Sequence, residues 1–276
     1  MSFLSTGVAV VTGAGSGIGR ALAEQLAAAG SALALADIDE TGLLQTAQSL
    51  EKKGALVTTH VVDVADEAGV RSFAEDVGKR HGRVTLLINN AGVSLHGDFE
   101  EISLDDFRWL MNINFWGTVY GVNYFLPLLK REKRAQIVNL SSIFGIIAPA
   151  GQCPYAASKF AVRGFTEALR HELEDTNVGV SCVHPGGIRT PIARRSRIGA
   201  GASASKREAN IERFDRLART PPEKAAERIL RGVDRQEPRI LIGSDAYQID
   251  IFQRLRPATY WKPLSRTFEK LTAKPK

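Results

Sequence analysis

The stretch Thr12-Gly13-Ala14-Gly15-Ser16-Gly17-Ile18-Gly19 constrains the chain more than any other, because of what flanks it. Gly7-Val8-Ala9-Val10-Val11 before it is a continuous apolar run, as in a strand buried on both faces. Ala21 to Ala29 after it reads as helix. Glycines between a buried strand and a helix allow a tight turn. They also let the backbone approach a pyrophosphate, whose charge suits a helix N-terminus. A purely structural turn is the competing reading, and the strand–glycine–helix context argues against it.

The pattern then repeats. Ala32 to Ala36, Ala55 to Val62, Val84 to Ile88, Gln136 to Asn139, Val178 to Val183 and Arg239 to Ile242 read as further strands. Helical stretches separate them: Thr41 to Lys53, Asp66 to His81 with Asp66 as N-cap, a long one from Leu104 to about Lys130, and one from Tyr155 to about Glu174. Alternation without hairpin signals predicts an α/β fold: a doubly wound (Rossmann) parallel sheet of seven strands, helices on both faces, in a single domain. In such a sheet ligands gather at the carboxyl ends of the strands, where Gly13, Asp37, Asp63 and Asn89 fall.

Asp37 closes the second strand about 20 residues beyond the glycines, where an acidic side chain can hold both adenosine ribose hydroxyls and repel a 2′-phosphate. Ile38 follows where an arginine would accommodate that phosphate, and Asp39 adds negative charge. NAD is therefore expected over NADP. Arg20 is the counter-argument, unless it is simply an exposed helix residue.

Tyr155 and Lys159 are four apart and share one face of a helix. A phenol titrates near about pH 10, and a neighbouring ammonium favours its ionised form. Alone the pair is a weak pattern. The fifth strand ends at Ser141-Ser142, and Ser142 lies 13 residues before Tyr155, so a strand-end serine and a helix-start tyrosine can face each other. Asn112 and Asn114 are mediocre helix formers inside a helical pattern, and one of them is expected to have a polar task. His184, before Pro185, reads as structural, because it has no partner for a triad.

These segments together resemble the short-chain dehydrogenase/reductase family over residues 6 to about 191. The resemblance rests on Thr12 to Gly19, Asp63-Val64, Asn89 to Gly92, Asn114 with Gly117, Ser142, Tyr155 with Lys159, and Pro185-Gly186 with Thr190. It implies Tyr155 as catalytic acid/base and Lys159 as the residue that binds the nicotinamide ribose and lowers the tyrosine pKa. Ser142 would hydrogen-bond the substrate oxygen, and Asn114 would hold a water in a proton relay. Around the cofactor it implies Gly13, Ser16, Gly17, Ile18 and Gly19 at the pyrophosphate, Asp37 at the adenosine ribose and Asp63 and Val64 at the adenine. Asn90, Ala91 and Gly92 would lie towards the nicotinamide-side ribose, with Pro185, Gly186, Ile188 and Thr190 at the nicotinamide end. The implied activity is hydride transfer between NAD and a secondary alcohol or ketone, without a metal. The implied assembly is a homodimer or homotetramer through the long helices. An NADPH-dependent carbonyl reductase is one alternative. A cofactor-binding regulatory protein without turnover is another, which has no need of the Ser142-Tyr155-Lys159 set.

Charge divides the chain. From Arg189 onward 21 Lys/Arg face 10 Asp/Glu, against 15 and 20 before it. Residues 188–220 are expected to form a lid within a catalytic domain of residues 1–256, with a mobile small-residue stretch at 199–205. Arg194, Arg195 and Arg197 either meet an anionic substrate such as an acyl thioester, or pair with Glu208, Glu212 and Asp215. Residues 257–276 form a basic aromatic tail with Tyr260, Trp261 and Phe268 among Lys262, Arg266, Lys270, Lys274 and Lys276. Packing on the enzyme is preferred for it over peripheral membrane contact. Ser94 to Phe99 and Phe144 to Gln152 are expected to wall the substrate pocket, their apolar residues suiting an apolar substrate body.

No window reaches the roughly 18 apolar residues a bilayer span requires, and the first strand starts too early for a signal peptide. Cys153 and Cys182 offer no disulfide framework, so a cytoplasmic location is expected. No nucleic-acid-binding motif accompanies the basicity.

Overall fold

The computed structural model describes residues 3–199, 201 and 204–272. In chain order the elements begin with β1 (Val8–Thr12), α1 (Gly17–Ala29), β2 (Ala32–Asp37), α2 (Glu40–Glu51), β3 (Val57–Val61), α3 (Glu67–His81) and β4 (Leu86–Asn89). A two-residue strand β5 (Leu95–His96), α4 (Leu104–Met111) and α5 (Gly117–Leu129) follow. Then come β6 (Ala135–Leu140), α6 (Cys153–Glu172), β7 (Val178–Pro185) and the short β8 (Arg197–Ile198). The chain closes with α7 (Ala204–Leu217), α8 (Pro222–Asp234), β9 (Arg239–Ile242), α9 (Ser244–Leu255) and α10 (Trp261–Thr272).

The sheet is seven-stranded and every pairing in it is parallel, in the order β3-β2-β1-β4-β6-β7-β9. Apolar runs explain it: β1, β4 and β6 are buried at every residue, as strands covered on both faces must be. One core cluster joins α1 and α8 to one face through Leu22, Leu26, Ile229 and Val233. Another joins α3 and α5 to the opposite face through Phe73, Val77, Phe125 and Leu129. The chain order reverses between β1 and β4, which opens a crevice at the strands' carboxyl ends.

Two regions depart from the expected outline, and the tail packs as expected. The long helix of residues 104–130 is interrupted by a single π-helical turn, Asn112–Trp116, a local widening that periodicity does not reveal. Of the stretch expected to be mobile, Ala204 and Ser205 already belong to α7, and residues 200, 202 and 203 lie outside the described residues. The tail forms α10, and Leu264 and Phe268 on it, with Tyr260 just before it, pack on Ile143, Ile146, Ile147 and Ile249. Lys274 and Lys276 lie outside the described residues. No described helix is long and apolar enough to cross a membrane.

Candidate active site

The glycine turn is stapled to the loop after β4. Thr12 Oγ1 accepts the backbone N–H of Asn90 at 3.0 Å and of Ala91 at 3.1 Å. Asn90 Nδ2 donates back to the carbonyls of Thr12 and Gly13 at 2.8 and 3.1 Å. Gly13 sits at φ +67°, and a Cβ on Gly19 would lie 2.0 Å from the Gly13 carbonyl oxygen, so neither position admits a side chain. Ser16 precedes α1 without capping it through its side chain, which leaves the first-turn N–H groups pointing outward. The turn therefore fits a pyrophosphate.

Asp37 closes β2 with both carboxylate oxygens anchored. Oδ2 accepts from Gly15 N at 2.7 Å and Oδ1 from Asp39 N at 2.9 Å. Each oxygen keeps a lone pair for a ribose hydroxyl. Arg20 is not an exposed helix residue: it donates to Thr46 Oγ1 at 3.0 Å and to the carbonyl of Gly15 at 2.5 Å, bracing the turn rather than offering charge to a phosphate. Asp39 caps α2 and pairs with Arg195 at 3.2 Å. Asp63 folds back on Ala65 N at 2.9 Å. Val64 is buried where a Cβ on Gly117 would lie 2.8 Å from it, so that glycine lets α5 approach the loop after β3.

At the other end of the crevice, β6 runs into Ser141 and Ser142, whose hydroxyls diverge. Ser141 Oγ donates to the Lys159 carbonyl at 2.8 Å. Ser142 Oγ accepts from Phe144 N at 3.1 Å and is hydrogen-bonded to the Tyr155 phenol. Lys159 is 5 % exposed, donates to the Leu140 carbonyl at 3.0 Å and lies 5.7 Å from the Tyr155 ring centre. Burial lowers this ammonium to about 8. The tyrosine runs against expectation: burial raises its pKa, and the hydrogen bond to Ser142 is what works in the other direction. Desolvation of the phenolate outweighs that hydrogen bond.

Asn114 lies in the π turn, 1 % exposed. Its amide accepts from Val93 N at 2.8 Å and donates to the Val93 carbonyl at 3.0 Å and Ser158 Oγ at 3.1 Å. The side chain is thus engaged in holding the loop after β4, and its backbone carbonyl accepts from Thr118 Oγ1 at 3.1 Å, one of the two bonds such an oxygen can accept. A Cβ on Gly92 would lie 3.2 Å from Asn114 Oδ1 and 3.4 Å from Lys159 Nζ, so these three residues meet.

Pro185 ends β7. Gly186 has no room for a Cβ beside Asp245, whose carboxylate accepts from Gly187 N at 2.8 Å. Ile188 is buried and bridges to Thr220, and Thr190 faces Gly17 across the crevice. His184 is fully buried with Nδ1 3.0 Å from the Ser142 carbonyl, and burial lowers it to about 4. Sequence reading missed Asp245 and Thr118, and gave Thr12 no task of its own within the glycine stretch. The partners of Asp245 and Thr12 lie far along the chain, and that of Thr118 is a backbone carbonyl.

The lid arginines are engaged. Arg194 pairs with Asp215 at 2.8 Å, and Arg197 pairs with Asp106 at 3.3 Å while lying 3.7 Å over the Trp109 ring. Of the carboxylates expected to neutralise them Asp215 does so, and the fold brings in Asp39 and Asp106 as well.

Residues 7–200 match the sequence profile of the short chain dehydrogenases. A putative oxidoreductase SadH of Mycobacterium tuberculosis (strain CDC 1551 / Oshkosh) is 41% identical over 263 residues, covering 94% of both chains. A short chain dehydrogenase/reductase from Burkholderia phymatum in complex with NAD superposes with a TM-score of 0.87 at 32% identity, over 95% of this chain and 98% of that one. An alcohol dehydrogenase from the archaeon Thermococcus sibiricus complexed with 5-hydroxy-NADP gives 0.73 at 25% identity, over 86% and 96%.

Proposed function

The chain belongs to the short-chain dehydrogenase/reductase family of oxidoreductases, and from that premise we propose that it interconverts a secondary alcohol and its ketone using NAD. The observation that carries this reading is the hydroxyl–phenol–ammonium set: Ser142 on Tyr155, with Lys159 buried beneath.

NAD, when bound, supplies the nicotinamide that exchanges a hydride with the carbinol carbon. The rest falls to the chain. Ser142 Oγ donates to the substrate oxygen and fixes the reacting carbon beside Tyr155. During reduction Tyr155 gives its phenol proton to the carbonyl oxygen, and during oxidation it takes the hydroxyl proton as a phenolate, its own proton having first passed to solvent water. Because burial opposes phenolate formation, the charge on Lys159 matters most in the transition state, where negative charge builds on the phenol oxygen. The cation is largely retained at pH 7, since burial brings it only to about 8. Asn114 keeps the loop after β4 in place and, through its carbonyl, can hold a relay water.

NAD is favoured over NADP because Asp37 stays anchored at the β2 end beside exposed Ile38, while Arg20 is committed to Gly15 and Thr46. The pocket walls, Phe144 edge-on to Tyr155 and Ile146 and Ile147 under α10, favour an apolar substrate body. Trp116 and Phe160, exposed on the long helices, support homo-oligomer formation there. The unbonded Cys153 and Cys182 support a cytoplasmic setting.

A panel of secondary alcohols offered with NAD and with NADP tests this reading. NAD-linked turnover with release of the ketone is expected. Tight NAD binding with no turnover on any panel member would instead favour a cofactor-binding protein.

A further inference from the structure

The two stretches that flank the candidate site, 94–99 and 144–152, meet at one polar pair. Gln152 is 7 % exposed and immediately precedes α6, its carbonyl accepting Ala156 N at 2.8 Å, so it stands three residues before Tyr155. Its amide Nε2 is hydrogen-bonded to His96 Nδ1. His96 is held from the lid side as well: β5 pairs with β8, and the His96 carbonyl accepts Gly199 N at 2.9 Å. Gly97 N donates to the Gly151 carbonyl at 3.3 Å.

The chemistry of the pair sets the tautomer. An amide nitrogen donates and never accepts, so Nδ1 is the acceptor and the ring proton sits on Nε2. Burial holds the imidazole down to about 4, which keeps it neutral at physiological pH. Nε2 makes no hydrogen bond among the described residues. Unlike His184 Nε2, it is not a buried unpartnered atom, so it opens onto accessible space. A neutral N–H donor is thus fixed from behind by Gln152, in a segment tied both to the lid base and to the start of the helix that carries Tyr155.

We propose that His96 is a substrate-recognition residue whose Nε2–H, oriented by Gln152, donates to a second oxygen on the substrate, so that the enzyme prefers ketones carrying another acceptor oxygen. This rests on the alcohol–ketone reading above. Gln152 is then a positioning residue. A pair that merely ties the lid to α6 would affect all substrates alike, whereas a recognition pair separates them.

The test uses the full-length enzyme with NADH, methyl pentyl ketone as the single-oxygen probe, and the keto esters ethyl pyruvate, ethyl acetoacetate and ethyl levulinate. Wild type should prefer one keto ester through KM. His96→Phe should lower kcat/KM for that ester by about tenfold more than for the simple ketone, the worth of a neutral hydrogen bond. Gln152→Met should give part of that loss. Nitrogen NMR of the histidine rings should place the His96 proton on Nε2. A proton on Nδ1, or equal losses on all four compounds, would overturn the recognition role while leaving the reaction intact. A wild-type enzyme inactive on all four would instead strike the alcohol–ketone reading, and this inference with it.

Discussion

The crevice and the lid are built by opposite means. Around the crevice, side chains at strand ends and in the π turn are held by short, part-buried or buried hydrogen bonds: Thr12 to the loop after β4, Asp37 to Gly15, Asn114 to Val93 and Ser158. The lid is fastened by exposed arginine–carboxylate pairs and by an amphipathic C-terminal helix. Buried hydrogen bonds tolerate little displacement, because an unpaired buried group carries its full desolvation cost. Exposed ion pairs contribute about 0–1 kcal/mol each and are readily exchanged. On the proposed reading the chemistry sits on a rigid frame, and substrate choice on a surface that can be remodelled at small cost.

Perturbing the frame gives the largest effects. Lys159 has its folded-state pKa lowered to about 8 from 10.5, so its burial opposes folding below pH 8, and that burden fades as pH rises towards the unfolded value. Lys159→Met should therefore lose about a hundredfold or more in turnover. It should also gain about 1–3 kcal/mol of stability at pH 7, with the gain shrinking above pH 8. Denaturant titration at both pH values checks the sign. In wild type, carbonyl reduction should fall as pH rises through about 8, where the ammonium is lost.

On the lid side, Leu264→Asp places a charge in the apolar contact between α10 and Ile146 and Ile147. It should raise KM for bulky apolar ketones by about tenfold. NAD affinity should stay as it was, a contrast isothermal titration reads directly. The smallest effect belongs to Arg195→Ala, which unpairs Asp39 from the lid across the crevice. NAD dissociation should quicken by no more than about fivefold at low salt and less at high salt. A loss of hundreds-fold would mean that the lid is part of the frame after all.

The same contrast explains what could be read from sequence. Gly13, Gly19, Asp37, Tyr155 and Lys159 announce themselves because their tasks depend on spacing within one strand–turn–helix unit. Most of the seven strands follow from apolar runs; β3, with Thr58, Thr59 and His60, does not. Arg20 bracing Gly15, Asp245 under Gly187 and Asn114 engaged by Val93 and Ser158 depend on juxtapositions between distant segments. The π turn at Asn112–Trp116 leaves the helical period almost intact. The direction of the Tyr155 shift depends on burial, which no spacing reports.

The most direct test of the account is deuterium transfer from a carbinol-deuterated secondary alcohol to NAD, comparing wild type with Tyr155→Phe at matched cofactor occupancy. Transfer slowed by about a thousandfold in the variant, with NAD binding retained, is the predicted result. Transfer at the wild-type rate without the phenol would contradict the role assigned to Tyr155, and with it the mechanism.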